Sequence, residues 1–424
     1  MKHTKTSCED EKETKMSINN QVDPQLRTIN NQPLRTVISA GGRFVSFHQA
    51  HQLIKRKSLV KFFTCSYTKR DHQYIPATFV HNSNLCQLLD TCFDKLRFNY
   101  FIKRSSFYVL KDNIFDYGVS KEIEKLGQID LFMGWAHSLL NSIPAIRKSG
   151  AKIILETGTS HILTQQKILQ EEYKKYTISH APITQKNREK ILAEYEQTDY
   201  IMTPSEFVRK SFITQGIEPK KILKINYGSE VAYFKKEYNS PWEKPPIFTI
   251  IFVGMLSIRK GIHYLLDAWN KLNLPENKTQ LLLVGSMQQD IRSLLRKTAI
   301  KNNIVFYGPT SQEKLRKLYH TSSLFVLPSV EDGFATVIRE AMASSLPVIC
   351  TTQSGGDDLI SNGQEGFVVP ACNSQELGEK IEWCYNNQEQ AHLMGIKGQE
   401  TIKEHTWDAY GDHVYALYQK ILGL

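Results

Sequence analysis

The chain has little cysteine for its 424 residues: seven, at 8, 65, 86, 92, 350, 372 and 384, scattered and odd in number. No C-x-x-C pair occurs, so a disulfide framework is excluded and a reducing, cytoplasmic compartment is expected. Long apolar runs are also lacking. The greasiest stretch, IFTIIFVGML at 247–256, is too short to span a bilayer. The opening stretch MKHTKTSCEDEKETKMSINNQ holds no apolar core of a secretory signal, and 1–33 reads as a disordered tail. Several chemical signatures are missing as well. Without G-x-x-x-x-G-K-[ST] a P-loop NTPase is not expected, and without G-x-G-x-x-G after a strand a dinucleotide-dependent dehydrogenase is disfavoured. There is no Asp-x-Asp and no H-E-x-x-H, so neither a metal site nor a cofactor is expected.

What is present is an ordinary globular composition, 41% hydrophobic and 23% charged, with a net charge of +10. The excess of cations predicts an anionic partner: phosphate, nucleic acid or a membrane surface. The length predicts two domains. Short apolar runs alternate with helix-like segments throughout. In the first half they are 35–39, 61–66, 151–156, 199–203 and 221–226; in the second, 248–254, 279–285, 303–308, 322–328 and 347–351. Such runs read as strands buried on both faces of parallel sheets, with crossover helices between them. The fold class is therefore α/β, two doubly wound domains facing across a cleft. Their expected bounds are 34–235 and 247–405, joined by a proline-rich linker at 236–246. The second set of strands is expected to be complete by Thr351. Residues 406–424 read as an amphipathic helix that crosses back to the first domain.

Ligands of open α/β sheets bind beyond the carboxyl ends of the strands, so the loops there carry the candidates. After the first strand of the second domain, VGMLSIRKG places Gly254 in a turn and Arg259 and Lys260 at a helix start. Two cations at a helix N-terminus suit a phosphate chain; the plain alternative is solvated charge. Further on, EDGFATVIREAMA puts Asp332 and Gly333 at a turn and Glu340 at the edge of a helix's apolar face. An acid there needs donors, either sugar hydroxyls or a neighbouring Lys or Arg. Gly355 and Gly356, and in the first domain Gly41 and Gly42, permit close backbone approach. His161 ends the polar loop ETGTSH and is either structural or a catalytic contact.

These stretches, with TPSEFVRKSF, YGSEVAYF and SGGDDLISNGQEGFVV, resemble the GT-B glycosyltransferases of the GT4-like "glycosyl transferases group 1" family, most clearly over residues 203–407. The resemblance implies two Rossmann-like domains and a hexosyltransferase that uses a nucleotide-diphosphate sugar donor, with retention and without metal. It implies a glycan or lipid-linked acceptor, as in polysaccharide biosynthesis. The family's two acids separated by seven residues fall on Asp332 and Glu340. The first contacts the donor sugar together with the loop at Gly333, Phe334, Ala335 and Thr336; the second holds the ribose. The family's lysine falls on Lys260, while its arginine position holds Met255, so Arg259 is expected to supply that charge. Because relatives often work on lipid-linked acceptors, the run HQLIKRKSLVKFF at 51–63, with Lys55, Arg56, Lys57 and Lys61, is a candidate contact with an anionic inner membrane face. The competing readings are a GT-B-like epimerase, a glycan phosphorylase and a nucleic-acid-binding protein. The basic residues are spread rather than striped, and no nucleic-acid partner is expected.

Overall fold

A computed structural model describes residues 33–43, 45–95, 104–178, 183–237 and 243–424. The expected tail, apart from its last residue, and the middle of the expected linker lie outside the described residues. The first sheet is built from β1 (Thr36–Ala40), β2 (Leu59–Thr64), β3 (Val80–Asn82), β4 (Leu131–Trp135), β5 (Lys152–Glu156), β6 (Tyr200–Thr203) and β7 (Ile222–Lys224). The second comprises β8 (Phe248–Val253), β9 (Thr279–Val284), β10 (Ile304–Gly308), β11 (Leu324–Leu327), β12 (Val348–Thr351) and β13 (Gly366–Val369). The strand orders are 3-2-1-4-5-6-7 and 10-9-8-11-12-13, all parallel. Helices cover the faces, which is why β1, β4, β11 and β12 are buried along their whole lengths.

Three strands depart from the expected set. β4 contains Gly134, where a side chain would strike Leu139 at 2.5 Å, so the strand lacks a continuous branched run. β3 is a three-residue edge. β13 corrects the expectation that the second sheet ends at Thr351. It pairs with β12 through Gly366, whose position leaves no room for a Cβ against the Val348 carbonyl at 2.0 Å.

In each sheet the order reverses direction at one point, between β1 and β4 and between β8 and β11. Loops diverge there and leave a crevice. The two domains touch across it. Along the helix Ile162–Lys175, Glu172 bonds to His263 at 2.7 Å and Tyr173 donates to Asp290 at 2.7 Å. Beyond it, the helix Trp407–Ile421 lies on Ser46–Lys55 of the first domain, with Gln49 donating to the Tyr418 hydroxyl at 2.9 Å and Gln52 to Asp408 at 2.9 Å. Gly411 permits this approach, since a Cβ there would meet Arg56 and Gln52 at 2.6 Å.

Glu156, at the end of β5, is fully buried and neither carboxylate oxygen has a well-formed hydrogen bond. Burial raises its pKa to about 8; the nearby Tyr227 hydroxyl opposes this only in part. The unfolded chain ionises this group near 4.5, so between pH 4.5 and 8 folding takes up a proton and stability falls as pH rises. At pH 8 the loss is on the order of 4 kcal/mol. Glu156→Gln is expected to flatten this slope: melting curves at pH 5 and pH 8 should differ less in the variant than in the wild type. Equal differences would remove Glu156 as the source.

Candidate active site

The second domain's switch point carries the charged residues. After β8 the chain turns at Gly254 (φ 151°) and again at Gly261 (φ 68°), which begins the helix Ile262–Lys271. A Cβ at Gly261 would lie 1.8 Å from the Pro328 carbonyl, so this turn locks onto the loop after β11. The Arg259 carbonyl accepts from Val330 N at 2.9 Å, and Arg259 Nε donates to the Glu331 carbonyl at 3.1 Å and to its carboxylate at 2.7 Å. Lys260 Nζ bonds to Asp332. The two cations are thus not solvated surface charge; they face two acids.

Glu331 has no exposed side-chain surface. Burial works to raise its carboxyl, but the Arg259 charge and the Ser160 donors outweigh burial and hold it below the usual range. Ser160 gives its N–H at 3.1 Å and its hydroxyl at 2.7 Å, and Gln165 adds an amide at 3.1 Å. These donors come from the first domain, so Glu331 closes the crevice. Two residues on, the Gly333 carbonyl accepts from Ser205 at 2.6 Å, and a Cβ at Gly333 would collide with the Gly158 carbonyl at 2.1 Å. Phe334 is buried edge-on to Tyr227 at 5.5 Å, with the Arg339 guanidinium 3.7 Å from its ring centroid. Ala335 N donates to the Ser354 carbonyl at 3.3 Å, and Thr336 opens the helix Thr336–Ala343. The first N–H groups of that helix have no intrahelical acceptor.

Glu340 is half-buried on this helix. Among the described residues no Lys or Arg pairs with it; Tyr319 donates to it at 3.1 Å. Burial raises its pKa to about 7, with the Tyr319 bond acting against the rise. It is an acid with acceptor capacity left over.

Not every candidate joins the site. His161 is 2% exposed, lies between the rings of Tyr195 and Phe212 at 5.0 Å each, and caps its helix by accepting from Leu163 N at 3.3 Å. Burial lowers its pKa to about 4, so the ring is neutral at physiological pH. Its ring is taken up by this cap and packing, and its predecessor Ser160 is the residue that bonds to Glu331. Met255 is exposed and brings no charge. Gly41 and Gly42 follow β1, and a Cβ at Gly41 would meet the Phe115 ring at 3.4 Å. Gly355 (φ 71°) stands 3.0 Å from the Gly333 carbonyl, measured from where its Cβ would be. The basic run at 51–63 is largely engaged: Lys55 pairs with Asp408, Arg56 with Asp412, and Lys61 donates to the Thr78 carbonyl at 3.1 Å. Glu331, Ser160, Ser205, Tyr319 and Arg339 were not among the sequence candidates. The acid doublet at 331–332 was the one visible signal.

Residues 235–401 match the sequence model of the family "Glycosyl transferases group 1". The capsular polysaccharide biosynthesis glycosyltransferase CapM of Staphylococcus aureus is 27% identical over 229 residues, 50% of this chain and 58% of CapM. An uncharacterized glycosyltransferase of Methanocaldococcus jannaschii is 24% identical over 253 residues, 55% of this chain and 63% of that protein. The chain thus spans less than two thirds of the length of these curated relatives. Among solved structures, Anabaena HepE in complex with UDP-glucose superposes with a TM-score of 0.65 at 14% identity, covering 91% of this chain and all of HepE.

Proposed function

We propose that this chain, which has the GT-B fold and whose residues 235–401 belong to the glycosyl transferases group 1 family, transfers a sugar from a nucleotide-diphosphate donor to a glycan acceptor. The observation that carries this reading is the convergence of Arg259–Glu331 and Lys260–Asp332 at the switch point of the second sheet. Glu340 stands eight residues beyond Asp332 on the adjoining helix.

The chemistry follows from the charges. The bond between the anomeric carbon and the β-phosphate oxygen breaks, and its electron pair leaves on the nucleoside diphosphate. The acceptor hydroxyl oxygen bonds to that carbon and releases its proton. Arg259 and Lys260 oppose the charge growing on the diphosphate. Asp332, freed from Lys260 by the phosphate, takes a sugar hydroxyl; Glu340 takes the ribose hydroxyls. Two side-chain cations in this position support transfer without a metal, and retention rests on the family alone. HepE's complex makes uridine diphosphate sugars the first donors to try. A lipid-linked acceptor met at a membrane surface has weaker support, because the basic run is paired. Among the described residues no helix is long and apolar enough to cross a membrane.

The test is a screen of sugar nucleotides for binding and turnover by the purified protein. Release of free sugar and nucleoside diphosphate supports transfer. Formation of a new sugar nucleotide with no acceptor present points to an epimerase, and binding of none overturns the proposal. On the best donor, Glu340→Gln is expected to weaken nucleotide affinity about tenfold, since hydrogen bonds to a charged acceptor contribute about 1.5–3 kcal/mol. With a pKa of about 7, wild-type affinity should fall as pH drops from 8 to 6, while the Gln variant stays flat. A lowered melting temperature with unchanged affinity would make Glu340 a purely structural acid.

A further inference from the structure

A hollow of about 750 Å³ lies between the helix Ser46–Lys55, the loop after β2 and the segments 229–232 and 406–408. It is outside the candidate donor site, since none of its lining residues lies in the loops directly after β8 or β11. It is also near that site. Its wall at Ser229 begins two residues after Tyr227, whose ring meets Phe334 edge-on. Trp407 in the wall lies 5.6 Å from Tyr410, which lies 6.2 Å from Tyr227. Two buried rings, Tyr410 and Tyr227, therefore stand between Trp407 in the wall and Phe334 of the donor loop.

Its walls combine ring faces with balanced charge. Tyr74 is 55% exposed, and His48 and Trp407 stack at 3.9 Å. The cations Arg43, Lys55 and Arg70 and the acids Asp71, Glu230 and Asp408 line it together. Arg43 is bonded to Asp71 at 3.0 Å and Lys55 to Asp408, so these positive charges are already answered. Burial lowers the His48 pKa to about 4, which leaves that ring uncharged at neutral pH. An anionic group gains little here. A ligand with one apolar C–H face and a rim of hydroxyls fits, because each paired guanidinium and carboxylate offers a donor beside an acceptor, while the rings cover the apolar face.

We propose that this hollow holds a neutral sugar ring of the acceptor glycan, remote from the ring being glycosylated, so that the protein takes an oligosaccharide in preference to a single sugar. The role assigned rests on the glycosyl-transfer reading; the binding itself does not. The experiment uses the full chain on an array of monosaccharides, short neutral oligosaccharides and the same oligosaccharides bearing phosphate monoesters. Wild type, Tyr74→Ala and Arg70→Ala are compared, with UDP titrated separately into each. Wild type is expected to retain neutral oligosaccharides over monosaccharides. Tyr74→Ala should lose that retention by at least about fivefold, as for a central aromatic contact, with UDP affinity unchanged. The proposal is overturned if no neutral oligosaccharide is retained, if phosphorylated forms alone are retained, or if neither substitution alters retention. Failure of UDP to bind while oligosaccharide retention persists would remove the donor reading and support the hollow independently.

Discussion

Lys260→Ala is expected to lower kcat/KM about a hundredfold. Removing one preorganised contact to developing charge costs roughly 3 kcal/mol, and that is the rate factor it implies. The ammonium is held in place before any donor arrives: Gly261 pins the turn to Pro328, and Asp332 bonds to the Lys260 Nζ. Its side chain is 16% exposed and that of Asp332 is 10% exposed, so alanine also strands a partly buried acid. Two effects therefore mix in the single variant, and a second substitution separates them. Lys260→Ala with Asp332→Asn restores charge balance and should recover the melting temperature. It should not recover turnover, because the diphosphate still lacks its cation; Asp332→Asn alone measures how much of the loss comes from the missing carboxylate on the sugar. Wild-type turnover in the double variant would show that Lys260 serves only the fold.

The fold was legible where burial writes a local signature. Strands covered on both faces must be apolar along their length, so β8, β9, β11 and β12 stand out as runs of Ile, Val, Leu and Phe. β4 did not, because Gly134 and Trp135 interrupt the branched pattern to admit Leu139. β13 did not either, because four residues beginning with glycine carry too little periodicity. The site divides along the same line. Lys260, in the segment after β8, and Asp332 and Glu340, in the segment after β11, were candidates from spacing within a strand–loop–helix segment. The contacts around them come from elsewhere in the chain: Ser160 reaches Glu331, the neighbour of Asp332, across 171 residues, and Tyr319 reaches Glu340 from a different helix. No local pattern encodes such pairs. His161 shows the converse. Its position after a strand pointed to the crevice, but capping its own helix turns the ring between Tyr195 and Phe212, and Ser160 faces the cleft in its place.

Glu331→Ala should weaken the contact between the two domains. Glu331 joins three elements: Arg259 after β8, Ser160 after β5, and Gln165 on the helix that spans the crevice. Breaking a buried pair by removing one partner costs about 3–5 kcal/mol, since the remaining charge stays desolvated. Arg259 is 29% exposed and regains some water, so the lower end applies, about 3 kcal/mol. For a chain of two domains this corresponds to a fall in Tm of roughly 6–12 °C. Because Ser160 and Gln165 belong to the opposite domain, the loss should also open the crevice, which small-angle scattering reads as a larger radius of gyration. Arg259→Ala in the same background removes the stranded cation, and the double variant should lose less than the sum of the two single losses. Additive losses would mean that Glu331 and Arg259 act independently. An unchanged scattering curve for Glu331→Ala would mean that the contacts of Glu172, Tyr173 and Ser205 hold the domains together without it.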